Sequence, residues 1–555
     1  MAELAEPLAA PAPGATVPPL SDGARPAARD VGASARSFSR LGARSFAERA
    51  LVVLLLAFVA KQLFSVAAFP AFSGHDEVAH FSYVRTLATE ARIPVLPDLA
   101  AWRVAHQLNQ DPQGDFFATD LYPWCRFALD WFCAPAHPRW GHDPPYAVTI
   151  RLVPYPSGVQ YAANHPPLYY ALMSPVYLLS RGFPLETQQA LLRLATIPFG
   201  IATVLLAYLL TRTLFPNDSF LAVTVPAFVA FQPQISYESA MVNNDILGIA
   251  LFSLVLYLCV LGIRDRFPLR LSVALGVAVG LGLLAKGTSL IALPVVGLAV
   301  LLAVGWRDPL GLLKRGLWIG LPTVLLAAPW YLFLYRTYGN FDAFEQIAAL
   351  QPGNRSLGNF FDILIDREFI LLRFKETWGE YGWRLIHLDA PLLWAIGIAS
   401  ILCVVGLVLY VVLARRGTPP AWSDATMRPS AWQVKALVVL FAACVVGYLA
   451  VVQFGTRFAL TQARYYFPVV IAAALLSMLG LRTLIPTNWR PIGRGFVVAA
   501  LIALNVTLFV RYVLPFHASI VAEMPWLRDG AGASDDTPAV RIRGGQDGPF
   551  GEFGR

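Results

Sequence analysis

The chain is poor in charge and in cysteine. Asp, Glu, Lys and Arg make up only 14% of its 555 residues, whereas 57% are hydrophobic. So little charge cannot clothe a soluble fold of this length, because soluble chains carry about a quarter charged residues. Only five cysteines occur, and no metal-ligand spacing links them. Cys259, Cys403 and Cys444 lie within apolar runs and read as small core hydrophobes, whereas Cys125 and Cys133 fall in a polar loop. The short alternating strands of a membrane barrel are missing. No apolar segment starts near Met1, so no signal peptide is expected. The net charge is +8, but the basic residues flank apolar runs instead of forming a patch, so no nucleic-acid partner is expected.

What is abundant is apolar sequence in blocks long enough to cross a bilayer. These fall at 51–70, 190–211, 219–235, 246–263, 271–285, 288–305, 316–335, 391–414, 436–454, 466–481 and 496–514. The expected fold is an all-α polytopic bundle of about eleven transmembrane helices. With the N-terminal tail inside, the loops "GIRDRFPLR", "VGWRDPLGLLKR", "LARRGTPPAWSDATMRPSAWQVK" and "LRTLIPTNWRPIGR" all face the cytoplasm, as their Arg and Lys content requires. Counting "HPPLYYALMSPVYLLSR" as a twelfth span would turn them outward, so residues 165–181 are expected to lie at the outer interface. Residues 1–45, rich in Ala, Pro, Gly, Ser and Arg, read as a disordered cytoplasmic tail. Residues 46–515 then form the membrane domain, with outer loops at 71–189 and 338–388, and residues 516–555 form a polar outer tail. The segment "FDILIDREFILLRF" reads as an interfacial helix, and Cys125 and Cys133 would face an oxidising compartment in which they can pair.

Ionisable residues gather on the outer side of this arrangement. The stretch "FSGHDEVAHFSY" sets His75, Asp76, Glu77 and His80 just beyond the first span. Asn164 and His165 precede "PPLYY", and Glu238, Asn243, Asn244 and Asp245 occupy the next outer turn. Lys286 ends one span, and Arg457, Arg464 and Tyr465 flank another. Acids at the edge of a bundle suit activation of a hydroxyl or binding of a cation; Arg and Lys suit a phosphate. Together they suit a reaction between a phosphate-bearing lipid and a hydroxyl. "HDEVAH" lacks the His-Glu-x-x-His order of zinc hydrolases, and His75 and His80 read as polar contacts instead of ligands. Lys61, inside the first span, is compatible with facing the bundle, binding a lipid phosphate or snorkelling. Trp378, Tyr381 and Trp383 are compatible with anchoring the outer loop or stacking on sugar.

Six stretches occur in order: "GHDEVAHFSYVRTLA", "NHPPLYYALMSPVYLL", "SYESAMVNNDILGIALFSLVLYL", "LLAKGTSLIALP", "KETWGEYGW" and "QARYYFP". Together they resemble bacterial membrane glycosyltransferases of the GT-C fold, over residues 50–515. The nearest groups are the protein-mannosyltransferase and aminoarabinose-transferase-like enzymes and a related, poorly characterised membrane family. The resemblance implies a multi-pass enzyme of the bacterial cytoplasmic (inner) membrane whose active site faces the extracytoplasmic side. Its partners would be a polyprenyl-phosphate-linked sugar, a lipid, glycan or protein acceptor, and membrane lipids.

By the same resemblance Asp76 is the acidic residue of the first outer loop, with Glu77 beside it as a second catalytic candidate. Asp76 would accept the acceptor's proton, or orient the hydroxyl while a neighbour does so. Asp245 stands at the second acidic position, and Lys286 and Arg464 near the carrier phosphate. His80, His165, Asn244, Arg457 and Tyr465 complete the expected substrate contacts. A divalent cation, Mg2+ or Mn2+, is an optional cofactor held by Asp76 and Asp245. The chain departs from the better-known relatives at "VNNDIL", where they often place an Arg before the acid. A transporter or lipid flippase of an envelope pathway would also place charges in a bundle, but without massing them under two large outer loops.

Overall fold

Lipid offers backbone groups no hydrogen-bond partner, so each apolar block must satisfy its own, and each becomes helix. The computed structural model describes residues 31–96, 114–121, 124, 159–349, 356–379, 381, 386–416, 424–459 and 461–523. Among these residues the only β-pairings are two isolated bridges, Phe116 with Val159 and Tyr381 with Ile386.

In chain order the helices that matter here are α1 (Val31–Ala68), α2 (Glu77–Glu90), α3 (Leu168–Ser180), α4 (Leu185–Leu214), α5 (Ser219–Phe231) and α6 (Pro233–Glu238). Then come α7 (Asp245–Asp265), α8 (Leu269–Ala285), α9 (Ala292–Val304), α10 (Pro309–Tyr338), α11 (Phe344–Ala349), α12 (Phe360–Ile365) and α13 (Arg367–Gly379). The last are α14 (Ala390–Arg416), α15 (Ala431–Gly455), α16 (Val470–Leu484), α17 (Arg490–Leu508) and α18 (Leu514–Glu523).

The protein is an all-α polytopic membrane protein: nine helical segments among the described residues are long and apolar enough to cross a bilayer. Nine of the eleven expected blocks correspond to these segments; the other two hold shorter helices, α5 with 13 residues and α8 with 17. Proline shortens α5, because Pro233 lacks the N–H that would continue the ladder. Gln232 then caps α6 by accepting from the Ile235 amide at 2.7 Å. Helix α3, with 13 residues, is about 20 Å long, against a hydrocarbon core of about 30 Å.

Three expectations meet a different structure or none. Helix α1 begins at Val31, inside the stretch expected to be a disordered tail, and residues 1–30 lie outside the described residues. Ala and Arg, good helix formers, recur just ahead of the apolar run and extend it. The single interfacial helix expected around "FDILIDREFILLRF" is two helices, because Asp366 caps the second by accepting from the Phe369 amide at 2.9 Å. Cys125, Cys133, Trp383 and residues 524–555 lie outside the described residues.

Two contacts hold the frame around the site. Helices α14 and α16 meet backbone to backbone: a Cβ on Gly480 would lie 2.0 Å from the Cys403 carbonyl oxygen. At the end of α16 remote from Arg464, Arg482 pairs with Asp218 and Asp424, and Arg490 also pairs with Asp424. The Thr426 hydroxyl donates to Asp218 at 2.8 Å. This buried clasp ties α16 to the start of α5.

Candidate functional site

Helix ends, not helix middles, supply the site. The chain leaves α1, passes through Asp76 in the left-handed conformation (φ 57°) and enters α2. A non-glycine residue rarely adopts this geometry, though Asp tolerates it better than most. Asn243 caps α7: its Oδ1 accepts from the Asp245 amide at 2.9 Å and its Nδ2 donates to Glu238 at 2.6 Å. Asn244 donates to the Ala285 carbonyl at 3.0 Å, joining the start of α7 to the end of α8 and so placing Lys286 beside Asp245. Arg464 arrives on a 3-10 turn, Ala463–Val469, just before α16.

These ends form a chain of alternating charge. Arg464 donates to Asp76 Oδ2 at 2.6 Å and to Asp245 Oδ2 at 3.4 Å, and Lys286 pairs with Asp245 Oδ1. The Tyr161 hydroxyl donates to Asp76 Oδ1 at 3.1 Å. All four charged side chains are buried. Burial pushes the Asp76 carboxyl up, but Arg464 and the neighbouring His80 outweigh it and hold the group well below the usual carboxylate range. The Tyr465 ring lies 5.8 Å from Lys286 Nζ and 5.7 Å from the Arg464 guanidinium, within cation–π reach of both.

Asp76, Lys286, Arg464 and Tyr465 line one end of a cavity of ≈ 940 Å³. His165 and Tyr161 share that end, while Trp330, Leu334, Phe344, Ile347 and Val451 make the rest predominantly apolar. Arg457 also lines it but stands at the mouth, half-exposed, paired with Asp342 at 3.0 Å and lying over the Phe344 ring. The room has the shape of an amphiphile: charged at one end and greasy along its length.

Two other expected residues lie behind this wall. Glu77 is fully buried and turned away from the cavity. Its Oε1 accepts from Arg193 Nε and the Val242 amide, and its Oε2 from Arg193 Nη2 and the Gly74 amide, all at 2.6–2.9 Å. Arg193 donates further to the Phe69 and Pro70 carbonyls. The Glu77–Arg193 pair therefore locks the turn that presents Asp76. His80 bonds the Tyr170 hydroxyl through Nδ1 at 2.8 Å.

Burial pushes the His80 imidazole down to about 4, despite the pull of Asp76. The folded value lies below the ordinary 6.5, so acid costs stability. Above pH 6.5 the cost is absent; as pH falls from 6.5 towards 4 the unfolded chain takes up a proton that the native state refuses. About 3 kcal/mol should be lost over that window. Thermal unfolding in detergent between pH 7.5 and 4 checks this, and His80→Gln should flatten the acid side of the curve.

Asp76 and Asp245 fit a shared cation poorly. The Arg464 guanidinium bridges them and Lys286 neutralises the second, so a divalent ion would have to displace a buried cation. Among the described residues no group of three or more His, Cys, Asp or Glu side chains is placed to hold a metal.

A second, small cavity of ≈ 20 Å³ adjoins the first. Arg464 and Gln462 line both, and His75, Gln234, Glu238 and Glu376 line only the smaller. Tyr161, Arg193, Gln462 and Glu376 were not among the expected site residues. Arg193 sits among apolar neighbours in "ALLRLATI", where an isolated charge within a span was the available signal.

The profile of the dolichyl-phosphate-mannose-protein mannosyltransferase family matches residues 164–333, a minority of the chain. No curated protein matches the chain. Solved structures with a similar backbone include the apo oligosaccharyltransferase of Archaeoglobus fulgidus, at 13% identity and TM-score 0.48, over 87% of this chain and 58% of that one. Another is ArnT from Cupriavidus metallidurans bound to undecaprenyl phosphate, at 17% identity and TM-score 0.42, over 86% and 72%. The Archaeoglobus enzyme in complex with Zn and sulfate aligns at 16% identity and TM-score 0.46, over 85% and 52%. The chain thus spans little more than half the length of the oligosaccharyltransferase.

Proposed function

We propose that this protein is a glycosyltransferase that moves a sugar from a polyprenyl-phosphate carrier to a hydroxyl-bearing acceptor. The reaction takes place at the outer face of the bacterial cytoplasmic membrane and inverts the anomeric carbon. One observation carries the reading: the buried chain Asp76–Arg464–Asp245–Lys286 closes one end of a mostly apolar cavity inside a helix bundle. An isoprenoid needs the apolar length and its phosphate needs the cations. The family-profile match over residues 164–333 supports the same chemistry.

In this reading Lys286 and Arg464 bind the carrier phosphate and stabilise the charge that develops as it departs. Tyr465 packs against both cations, and Asn244 holds Lys286 in place through the end of α8. Asp76 holds Arg464 in register and orients the acceptor hydroxyl on the face of the sugar opposite the phosphate. His165 walls the sugar end, and Arg457 guides the anionic head through the mouth. Glu77 positions Asp76 from behind. The hydroxyl oxygen attacks in a single displacement, which sets the inverted outcome. The charge bridge already present supplies what a cation would, so no metal step is invoked.

The test is a transfer assay with the purified full chain in vesicles. Labelled undecaprenyl-phosphate hexoses and pentoses serve as donors, with native membranes as acceptor. Transfer from at least one carrier-linked sugar, and none from nucleotide sugars, is expected. Transfer from nucleotide sugars alone would overturn the donor class. Movement of the carrier sugar across the bilayer without transfer would favour a flippase.

A further inference from the structure

A second apolar space, unused by the transfer chemistry, adjoins the charged site. A cavity of ≈ 750 Å³ lies between α8, α9 and α10. Tyr331 lines both it and the large cavity, so the two meet at that ring. Only Thr323 and Tyr331 among its lining residues carry a polar group. The Thr323 hydroxyl is already engaged with backbone, 2.9 Å from both the Gly276 and the Ile319 carbonyl oxygens. Leu293, Leu301 and Val324 line the cavity and are exposed, so it is a groove open sideways to the bilayer.

Helix α10 supplies the floor. Leu312, Gly316, Ile319, Thr323, Ala327 and Tyr331 recur every three or four residues and so share one helix face. From Leu312 to Tyr331 that face runs for about 28 Å, at a rise of about 1.5 Å per residue. Glycines keep it open. On α8, Gly276 and Gly280 serve packing: a Cβ on Gly276 would lie 2.2 Å from the Ile319 carbonyl oxygen, and one on Gly280 2.9 Å from Leu326 Cβ. In the groove, a Cβ on Gly297, Gly316 or Gly320 would meet nothing within 4 Å. Glycine is a poor helix former, and close helix packing does not explain these three.

We propose that this groove seats the isoprenoid tail of the carrier and makes the enzyme select carriers by chain length. The proposal deepens the glycosyl-transfer reading and rests on its carrier-binding half. Length is what identifies the occupant. An acyl chain of an ordinary membrane lipid ends near the midplane of a hydrocarbon core of about 30 Å. A floor of about 28 Å suits a chain that outlasts one leaflet, as a polyprenyl tail does. The tail leaves the large cavity past Tyr331 and follows α10 towards Leu312. Lipid is as apolar as the groove, so no hydrophobic gain attends the move. The preference comes from packing of a methyl-branched chain against the walls, which limits its size.

The experiment measures binding, not turnover. The full chain in lipid nanodiscs is titrated with undecaprenyl phosphate and with farnesyl phosphate, which carries the same head on a far shorter chain. Both are compared at matched mole fractions in the bilayer. Wild type should prefer undecaprenyl phosphate by about tenfold. Gly316→Leu with Gly320→Leu fills the groove from α10, and Gly297→Leu fills it from α9. Either should reduce undecaprenyl-phosphate affinity to the farnesyl-phosphate level. Farnesyl-phosphate affinity should stay within about twofold, because head binding is a separate contribution at a distant site. A photoreactive group at the tail end of undecaprenyl phosphate should label α10 between Leu312 and Gly320. Equal wild-type affinity for the two phosphates, a long-chain preference that survives both fillings, or loss of farnesyl phosphate in both would overturn the assignment. So would labelling of the same stretch by a photoreactive phospholipid that undecaprenyl phosphate does not displace, which gives the groove to bulk lipid. Long-chain selection in a protein that transfers no carrier-linked sugar would retire the glycosyl-transfer reading and keep the groove. Transfer without length preference would retire the groove alone.

Discussion

Asp76→Asn is expected to cut transfer by about three orders of magnitude while binding undecaprenyl phosphate more tightly than the wild type. The two effects have one cause. The Asp76 carboxylate accepts from Arg464 at 2.6 Å and neutralises half of that residue's partnership, the other half being Asp245. Asparagine keeps the volume but removes the charge, so Arg464 loses the group that aims it. Electrostatic groups aimed at a developing charge are worth about 10²–10³ each in turnover, and Asp76 also orients the attacking hydroxyl. The freed guanidinium becomes a stronger ligand for a resting phosphate, which raises affinity. Initial rates with labelled undecaprenyl-phosphate sugars and direct binding of undecaprenyl phosphate measure both arms. Wild-type turnover in Asp76→Asn would end the proposed role.

Glu77, one residue on, should give the opposite readout. Glu77→Leu leaves Arg193 charged and buried, with only the Phe69 and Pro70 carbonyls for company. Breaking a buried pair from one side costs about 3–5 kcal/mol. Thermal unfolding in detergent should drop sharply, with loss of the monodisperse species on gel filtration. The double change Glu77→Leu with Arg193→Met removes both charges and should recover most of that loss, because apolar replacements of buried pairs are often neutral. Recovered stability without recovered transfer would mark the pair as a support for Asp76. If Glu77→Leu alone were as stable as wild type, the clasp would not be what holds the turn.

The bundle was legible because hydrophobic length is a one-dimensional property. Nine long helices among the described residues overlap nine of the expected blocks, whereas blocks 219–235 and 271–285 hold only the shorter α5 and α8, which end just before Pro233 and Lys286. The charged end of the cavity was legible in part: Asp76, Asp245, Lys286 and Arg464 were named together, and the structure joins them in one chain of contacts. Asp76 and Glu77 are neighbours with equal chemistry, yet only one faces the cavity. Nothing in the order of letters tells which; the left-handed turn at Asp76 decides it by sending the two side chains apart. Arg193 and Tyr161 were illegible for a related reason, since each reaches its acid across more than eighty residues of chain. Arg457 was placed with the others by its position in sequence, but it stands at the rim with Asp342.

The four buried charges sum to zero, two acids against two bases. A carrier diester brings a single negative charge, but the monoester left after transfer carries nearly twice that at neutral pH. Cations already matched one for one by their own carboxylates can welcome the first and have little surplus for the second. Even-handed accounting of charge would thus guard the enzyme against its own by-product, making the exhausted carrier the guest it retains least.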